Sequence, residues 1–261
     1  MKQRIISGVV IVLVTIAACA LGGIFLKILC CLSCLWACKE IIDLRVNKEF
    51  SLNLYLIMLF STLCIVLESF NNYPLQYVAV ILEPIFLIMS CVFDKSINIK
   101  EIGTIYLFSM IIGFGFYFLI VASEYSKLLF TYLIIIAYLT DVFALFTGMK
   151  FGKHKLNKRI SPKKTIEGFI GGWLGGLVVS LVFAIIFKYF ELDSTVIIVC
   201  SILLPIISQI GDLIFSMIKR EFKIKDFSNL IPGHGGLLDR LDSLLIVSIV
   251  FGAITYFLWN V

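Results

Sequence analysis

Apolar runs of membrane-crossing length recur along nearly the whole chain, and they leave it few ways to fold. Inside a bilayer every backbone N–H and C=O must find a partner within the protein, which restricts spanning segments to helices or closed barrels. A helix needs about 20 predominantly apolar residues to cross. Runs of that kind lie at 5–26, 28–38 extended into 39–45, 53–70, 73–93, 102–123, 128–148, 166–187, 194–217 and 241–259. The chain is 61% hydrophobic and 15% charged, with a mean hydropathy of +1.06; soluble domains are about half apolar and about a quarter charged. The expected fold is an all-α polytopic integral membrane protein with about nine transmembrane helices. The run from Ile5 to Leu26 reads as the first of them. It is too long for the apolar region of a signal peptide and has no small-residue cleavage site before charged sequence. The second span is the weakest, because Lys39, Glu40 and Asp43 intrude at its end.

Charge supports this count. Of the 22 Lys and Arg, nineteen lie at the N-terminus or in the loops after spans 2, 4, 6 and 8, leaving only Lys27, Lys127 and Lys188 for the other loops. Cytoplasmic loops are enriched in Lys and Arg, so the N-terminus and the even-numbered loops are expected to face the cytoplasm. The net charge of +5 concentrates in two of them. Lys150, Lys153, Lys155, Lys158, Arg159, Lys163 and Lys164 follow span 6; Lys219, Arg220, Lys223, Lys225 and Arg240 follow span 8. These cations read either as topogenic charge attracted to anionic lipid headgroups or as a pocket for a triphosphate and a phospholipid phosphate. No soluble domain surrounds them that would suggest nucleic acid. The eight cysteines lie in apolar runs, four of them in CCLSCLWAC, and read as small buried hydrophobes rather than metal ligands or disulfides.

Polar residues are unevenly spread. Residues 1–127 are expected to form a nearly featureless scaffold, and 128–261 the catalytic part, with cytoplasmic loops 149–165 and 218–241. Within the scaffold, Glu68 is near enough to a span end to reach the interface, and Glu83 stands mid-span beside Pro84, where a proline-freed hydrogen bond is the modest reading. Asp141 and Asp212 each stand near the cytoplasmic end of a span that leads into a basic loop. Ionisable residues in such places are functional candidates by default. Asp212, Ser216 and Lys219/Arg220 recur at helical spacing, on one face. Asp239 and Asp242, three apart, share a face at the start of span 9, where capping by acidic residues is the alternative to a ligand role.

The chemistry these residues support is phosphoryl-type transfer. Two aspartates from different helices can hold Mg2+, which is bound by sparse carboxylates together with substrate phosphates. Lys219, Arg220, Lys225 and Arg240 suit the remaining phosphates. Gly233, Gly235 and Gly236 permit unusual backbone angles and close approach of N–H groups to a phosphate; His234, among them, is either structural or a phosphate contact. In the other basic loop, Ser161 or Thr165 is expected to cap a helix beginning near Thr165, with Glu167 in its first turn. A helix start preceded by lysines is a ready anion site. The small-x3-small spacings Gly168/Gly172 and Gly172/Gly176 allow close helix packing, either within the chain, the favoured reading, or across a dimer contact.

Read as spacing, 216–242 is S-x2-K-R-x4-K-D-x5-P-G-H-G-G-x2-D-R-x-D, and this run resembles the signature of the phosphatidate cytidylyltransferases. A second run, Ser161-Pro162-Lys163-Lys164-Thr165-Ile166-Glu167-Gly168, is similar to the S-P-x-K-T-x-x-G segment of the same family. The resemblance covers most of the C-terminal half; the N-terminal half matches only in hydrophobic character. It implies transfer of a cytidylyl group from CTP to phosphatidic acid at the cytoplasmic face of a prokaryote-type plasma membrane, with Mg2+ and as a homodimer. It assigns Asp212 and Asp239 to Mg2+, with Lys219, Arg220 and Asp242 in the catalytic set. Asp141, Ser161, Lys163, Lys164, Thr165, Ser216, Lys225, Asp226, Gly233, His234, Gly235, Gly236 and Arg240 go to substrate. The chain departs from the family at Phe215, where Glu is usual, at Phe143 and Leu145 around Ala144, and at Met149, where Arg is frequent. Other readings are a CTP-dependent kinase or nucleotidyltransferase of a polyprenyl phosphate, and a transporter. A transporter would need polar residues through the whole bilayer, yet spans 1, 3 and 9 carry few.

Overall fold

The computed structural model describes the backbone of all residues except 1, 45–50, 72, 73, 189–191, 232, 234, 260 and 261, and excludes in addition the side chains of 2–7, 11, 71 and 259. Among the described residues are nine helices: α1 (Lys2–Leu21), α2 (Gly23–Ile42), α3 (Leu52–Asn71), α4 (Leu75–Phe93), α5 (Ile99–Tyr125), α6 (Lys127–Phe151), α7 (Ile166–Ile186), α8 (Ser194–Glu221) and α9 (Leu238–Trp259). Seven of them, α3 to α9, are long and apolar enough to cross a membrane. The first break falls earlier than the expected one near Lys27. Gly22 and Gly23 have φ of 57° and 47°, values that favour glycine because it lacks a Cβ. Lys27 lies inside α2 instead, where its Nζ donates to the Ser69 carbonyl at 3.1 Å and rests over the Phe70 ring.

One correction to the all-α expectation lies between α6 and α7. There β1 (Lys155–Asn157) pairs antiparallel with β2 (Ser161–Thr165). Asn157 closes the turn, its Oδ1 accepting from the Arg159 and Ile160 amides at 3.0 and 3.1 Å, as short polar side chains do in turns. The strands are too short and too rich in lysine for an alternating apolar pattern to betray them.

The chain forms two compact units. The first holds Met1–Val121 and, after a long excursion, Asp226–Arg240; the second holds Ala122–Lys225 and Leu241–Val261. In the first unit Cys64, Ile65 and Ala79 form a core with Leu75, Met110, Phe114 and Tyr117. Cys30, Cys34 and Cys38 are buried along one face of α2. Glu68 accepts from the Gln76 amide at 2.9 Å and so caps α4. Pro84 leaves the Val80 carbonyl without its helical donor; the Tyr106 hydroxyl supplies one at 3.3 Å. The adjacent Glu83 carboxyl is buried and accepts from Ser109 Oγ at 2.7 Å.

In the second unit the glycine face of α7 is filled by its own neighbours. A Cβ at Gly168 would lie 2.8 Å from the Ala144 carbonyl, one at Gly172 would lie 2.7 Å from the Ala144 methyl, and one at Gly176 would lie 2.8 Å from Pro205 Cβ. Thus α6 and α8 both approach α7 more closely than any side chain there permits. Thr165 is the N-cap, accepting from the Gly168 amide at 3.1 Å; Ser161, the other candidate, belongs to β2. Glu167 gathers the incoming chain through the amides of Lys153 and His154 and through His154 Nδ1 at 2.6 Å.

Candidate functional site

The second unit assembles a carboxylate cluster from three helices. Asp141 on α6, Asp212 on α8 and Asp242 on α9 are half-buried and within electrostatic range of one another. At 28 residues α8 is about 42 Å long, and Asp212 lies about 27 Å from its start. Lys164 at the end of β2 meets it, Nζ to Oδ2 at 2.6 Å, and Ser216, one turn along α8, donates to Asp212 Oδ1 at 3.2 Å. Ser243 donates to Asp141 Oδ2 at 3.5 Å. Lys219 is only 7% exposed and offsets the charge of Asp242.

Three half-buried carboxylates crowd one another beside two lysines. Such a cluster attracts a further cation or the electropositive edge of a ligand. Its oxygen donors suit a hard cation such as Mg2+. Among the described residues no three Asp, Glu, His or Cys side chains converge at ligating spacing. Mg2+ does not need such a cage, since one or two carboxylates, waters and substrate phosphates suffice.

The second unit's other candidate cations lie at its surface. Arg220 is exposed and tied to carbonyls, Nη1 to Ile224 at 2.9 Å and Nε to Ile160 at 3.4 Å. Lys163 and Lys225 are exposed, and Ser161 is half-buried in β2. Of the departures from the family pattern, Leu145 and Met149 are exposed on α6, Phe143 packs where α7 has Gly175, and Phe215 is fully buried.

The first unit holds 226–240, and here carboxylates serve the backbone. Asp239 Oδ2 accepts from the Phe227 and Gly236 amides at 2.8 and 2.9 Å. Ile231 and Gly235 exchange two backbone hydrogen bonds, 2.9 and 3.2 Å, across a turn in which Gly233 and Gly235 have φ of 79° and 87°. The amides of Gly235 and Gly236, read from the sequence as phosphate donors, are therefore engaged inside the loop. The Phe227 ring meets Phe108 of α5 edge-on, with centroids 5.9 Å apart. Asp226 and Gly233 are exposed and Arg240 is half-buried; His234 lies outside the described residues.

Glu40 is the residue that sequence reading missed. At the end of α2 it looked like a charge intruding on a weak span; in the fold it is 1% exposed. Its Oε1 accepts from Ser228 Oγ at 2.6 Å and from the Leu237 amide at 2.8 Å, and its Oε2 accepts from the Leu238 amide at 2.9 Å. The available signal was a carboxylate too deep in an apolar segment to be left unpaired. Nothing local says that its partners lie some 190 residues away.

Comparison with known proteins agrees with the two sequence runs. The family model described as "Cytidylyltransferase family" matches residues 2–258. A phosphatidate cytidylyltransferase of Staphylococcus haemolyticus (strain JCSC1435) is 31% identical over 254 residues, covering 95% of this chain and 96% of the relative. One from Staphylococcus epidermidis (strain ATCC 35984) is 33% identical over 256 residues, with the same coverage of each chain. A third, of Staphylococcus aureus (strain COL), is 31% identical over 251 residues. The match runs through the scaffold helices as well as the signature segments, and on it the chain belongs to the cytidylyltransferase family.

Proposed function

We propose that the protein transfers a cytidylyl group from CTP to phosphatidic acid, giving CDP-diacylglycerol and pyrophosphate. The observation that carries this reading is the carboxylate cluster of α6, α8 and α9, neighboured by Lys164 and the buried Lys219. It is an arrangement for polyphosphate and cation in a helical membrane protein whose relatives bear the name of that reaction. The phosphate of phosphatidic acid has its second pKa near 6, so it is a dianion at neutral pH and needs no strong general base. One of its oxygens forms a bond to the α-phosphorus of CTP while the bond from that phosphorus to the bridging oxygen breaks. The electron pair leaves with pyrophosphate. Alignment and charge neutralisation then account for most of the catalysis.

The residues divide the work by their chemistry. Lys164 and Lys219, with Lys163, Arg220, Lys225 and Arg240, neutralise phosphate oxygens. Ser161, Thr165 and Ser216 orient donors, and Thr165 holds the start of α7 toward an anion. Asp212 is the second unit's candidate for Mg2+, with Asp141 and Asp242 beside it; Asp239 is the first unit's candidate, on the resemblance. Bound there, Mg2+ would neutralise the charge that develops on the triphosphate. We further infer that all nine helices cross the membrane with the reactive end in the cytoplasm, a reading supported by the Lys and Arg distribution. The homodimer expected from the resemblance has to use another face than the glycine stripe of α7, which α6 and α8 occupy.

The test is direct. Purified protein is incubated with phosphatidic acid, Mg2+ and each of the four nucleoside triphosphates while pyrophosphate is followed. Release with CTP or dCTP that requires both lipid and metal supports cytidylyl transfer. Silence with phosphatidic acid across several detergents overturns it and directs the search to polyprenyl phosphates.

A further inference from the structure

Glu40 poses a physical question that the proposed reaction leaves open. A carboxylate this deeply buried is costly unless its lone pairs are met, and the three donors that meet it all come from 228–238. Two are the amides of Leu237 and Leu238, the groups at the start of α9, which have no partner within the helix. An acidic side chain at a helix start is favourable by charge as well as by hydrogen bonding. Glu40 therefore caps α9 from a distant helix.

Gly236 makes room for this. A Cβ there would lie 2.6 Å from Glu40 Oε1, so any side chain at this position has to push the carboxylate out of its place. Asp239 tightens the same segment through the Phe227 and Gly236 amides. Arg240 is the third residue of α9. Its position along the segment is set by where the helix begins, and that is where Glu40 acts.

We propose that Glu40 is a positioning residue for cytidylyl transfer: it locks 226–240 and the first turn of α9 in the form that receives substrate phosphate. The inference rests on the reading that this segment contacts CTP or phosphatidic acid. It places a contributor to the reaction in the part of the chain that looked like plain scaffold.

The test pairs hydrogen exchange with kinetics on the full-length protein in detergent. Glu40→Gln keeps the shape but turns an NH2 group toward an amide donor. Gly236→Ala attacks the same contact from the other side. In both, the amides of 236–238 are expected to exchange at least about tenfold faster, and the KM for CTP or for phosphatidic acid to rise by about tenfold, the size of a lost charge-assisted hydrogen bond. Combining either variant with Ser228→Ala should give less than the product of the separate effects, because the three residues share one contact. Glu83→Gln is the control, a buried carboxyl of the same unit whose bond goes to Ser109 of α5; its KM values should stay at wild type. Unchanged exchange in both variants overturns the proposal. So does faster exchange with both KM values unmoved, which would leave Glu40 a purely structural cap. A wild-type protein that releases no pyrophosphate with any nucleotide fails the proposed reaction itself, while the exchange data still report whether Glu40 holds the segment.

Discussion

The carboxylates of the two units are used in opposite ways. In the second unit Asp212 faces side chains, the Lys164 ammonium and the Ser216 hydroxyl, and has Asp141 and Asp242 for neighbours. In the first unit Glu40 meets two backbone amides and a serine hydroxyl, and Asp239 Oδ2 meets two amides. An amide of a folded loop cannot leave, so a carboxylate bound to it is part of the architecture. A lysine or serine side chain can rotate away, so the carboxylate it covers can be offered to a ligand. Like charges meet in both units, Asp239 lying within electrostatic range of Glu40 in the first, but only in the second are they covered by side chains that can turn aside for a cation.

The strongest way to break this comparison is Asp212→Asn. It keeps the shape and the acceptor for Ser216 but removes the charge, and turnover should fall by about a thousandfold with thermal stability little changed. Full turnover in detergent would remove Asp212 from the reaction. Asp239→Asn is the next most informative. Both amides bond the same oxygen, which an asparagine can replace, so only the charge is lost. A fall of about a hundredfold in kcat, with a raised Mg2+ requirement, is expected if Asp239 also serves the metal. A fall below about threefold in the same assay would confine it to the loop.

Lys164→Met should cost about thirtyfold in kcat/KM, chiefly through the KM for CTP, because it removes a phosphate cation and leaves Asp212 without its ion pair, with only Ser216 still bonded to it. An unchanged KM measured at saturating lipid would show that Lys164 serves Asp212 alone. Thr165→Ala removes the cap of α7. It should lower stability by about 1 kcal/mol, read as a shift of the thermal midpoint, with turnover reduced only a few-fold. Ser243→Ala, which loses a long hydrogen bond to Asp141, should change kcat by no more than about threefold.

Much of the candidate site is legible in the sequence because it is local. The cap of α7 falls at Thr165, and Ser216 stands one turn from Asp212, as a 3.6-residue repeat requires. The hairpin of 155–165 escaped, since three- and five-residue strands of mostly polar residues carry no periodicity to detect. The glycine loop was only half legible. Its positive φ values were expected from residue type, but the engagement of its amides by Asp239 and Ile231 was not.

Read along the chain, the residues already declare a helical membrane protein, place most of its helices and gather charge in two loops. These properties follow from hydropathy, helical spacing and capping, all of which act over a few residues. Which carboxylates meet is settled by packing: Asp141, Asp212 and Asp242 beside two lysines, and Glu40 against a segment some 190 residues further on. Such pairings depend on how helices pack, and packing here turns on close approach at glycines, whose partners no local pattern names. Burial then gives each carboxylate its meaning, because a charge removed from water must be matched by whatever the fold has brought beside it.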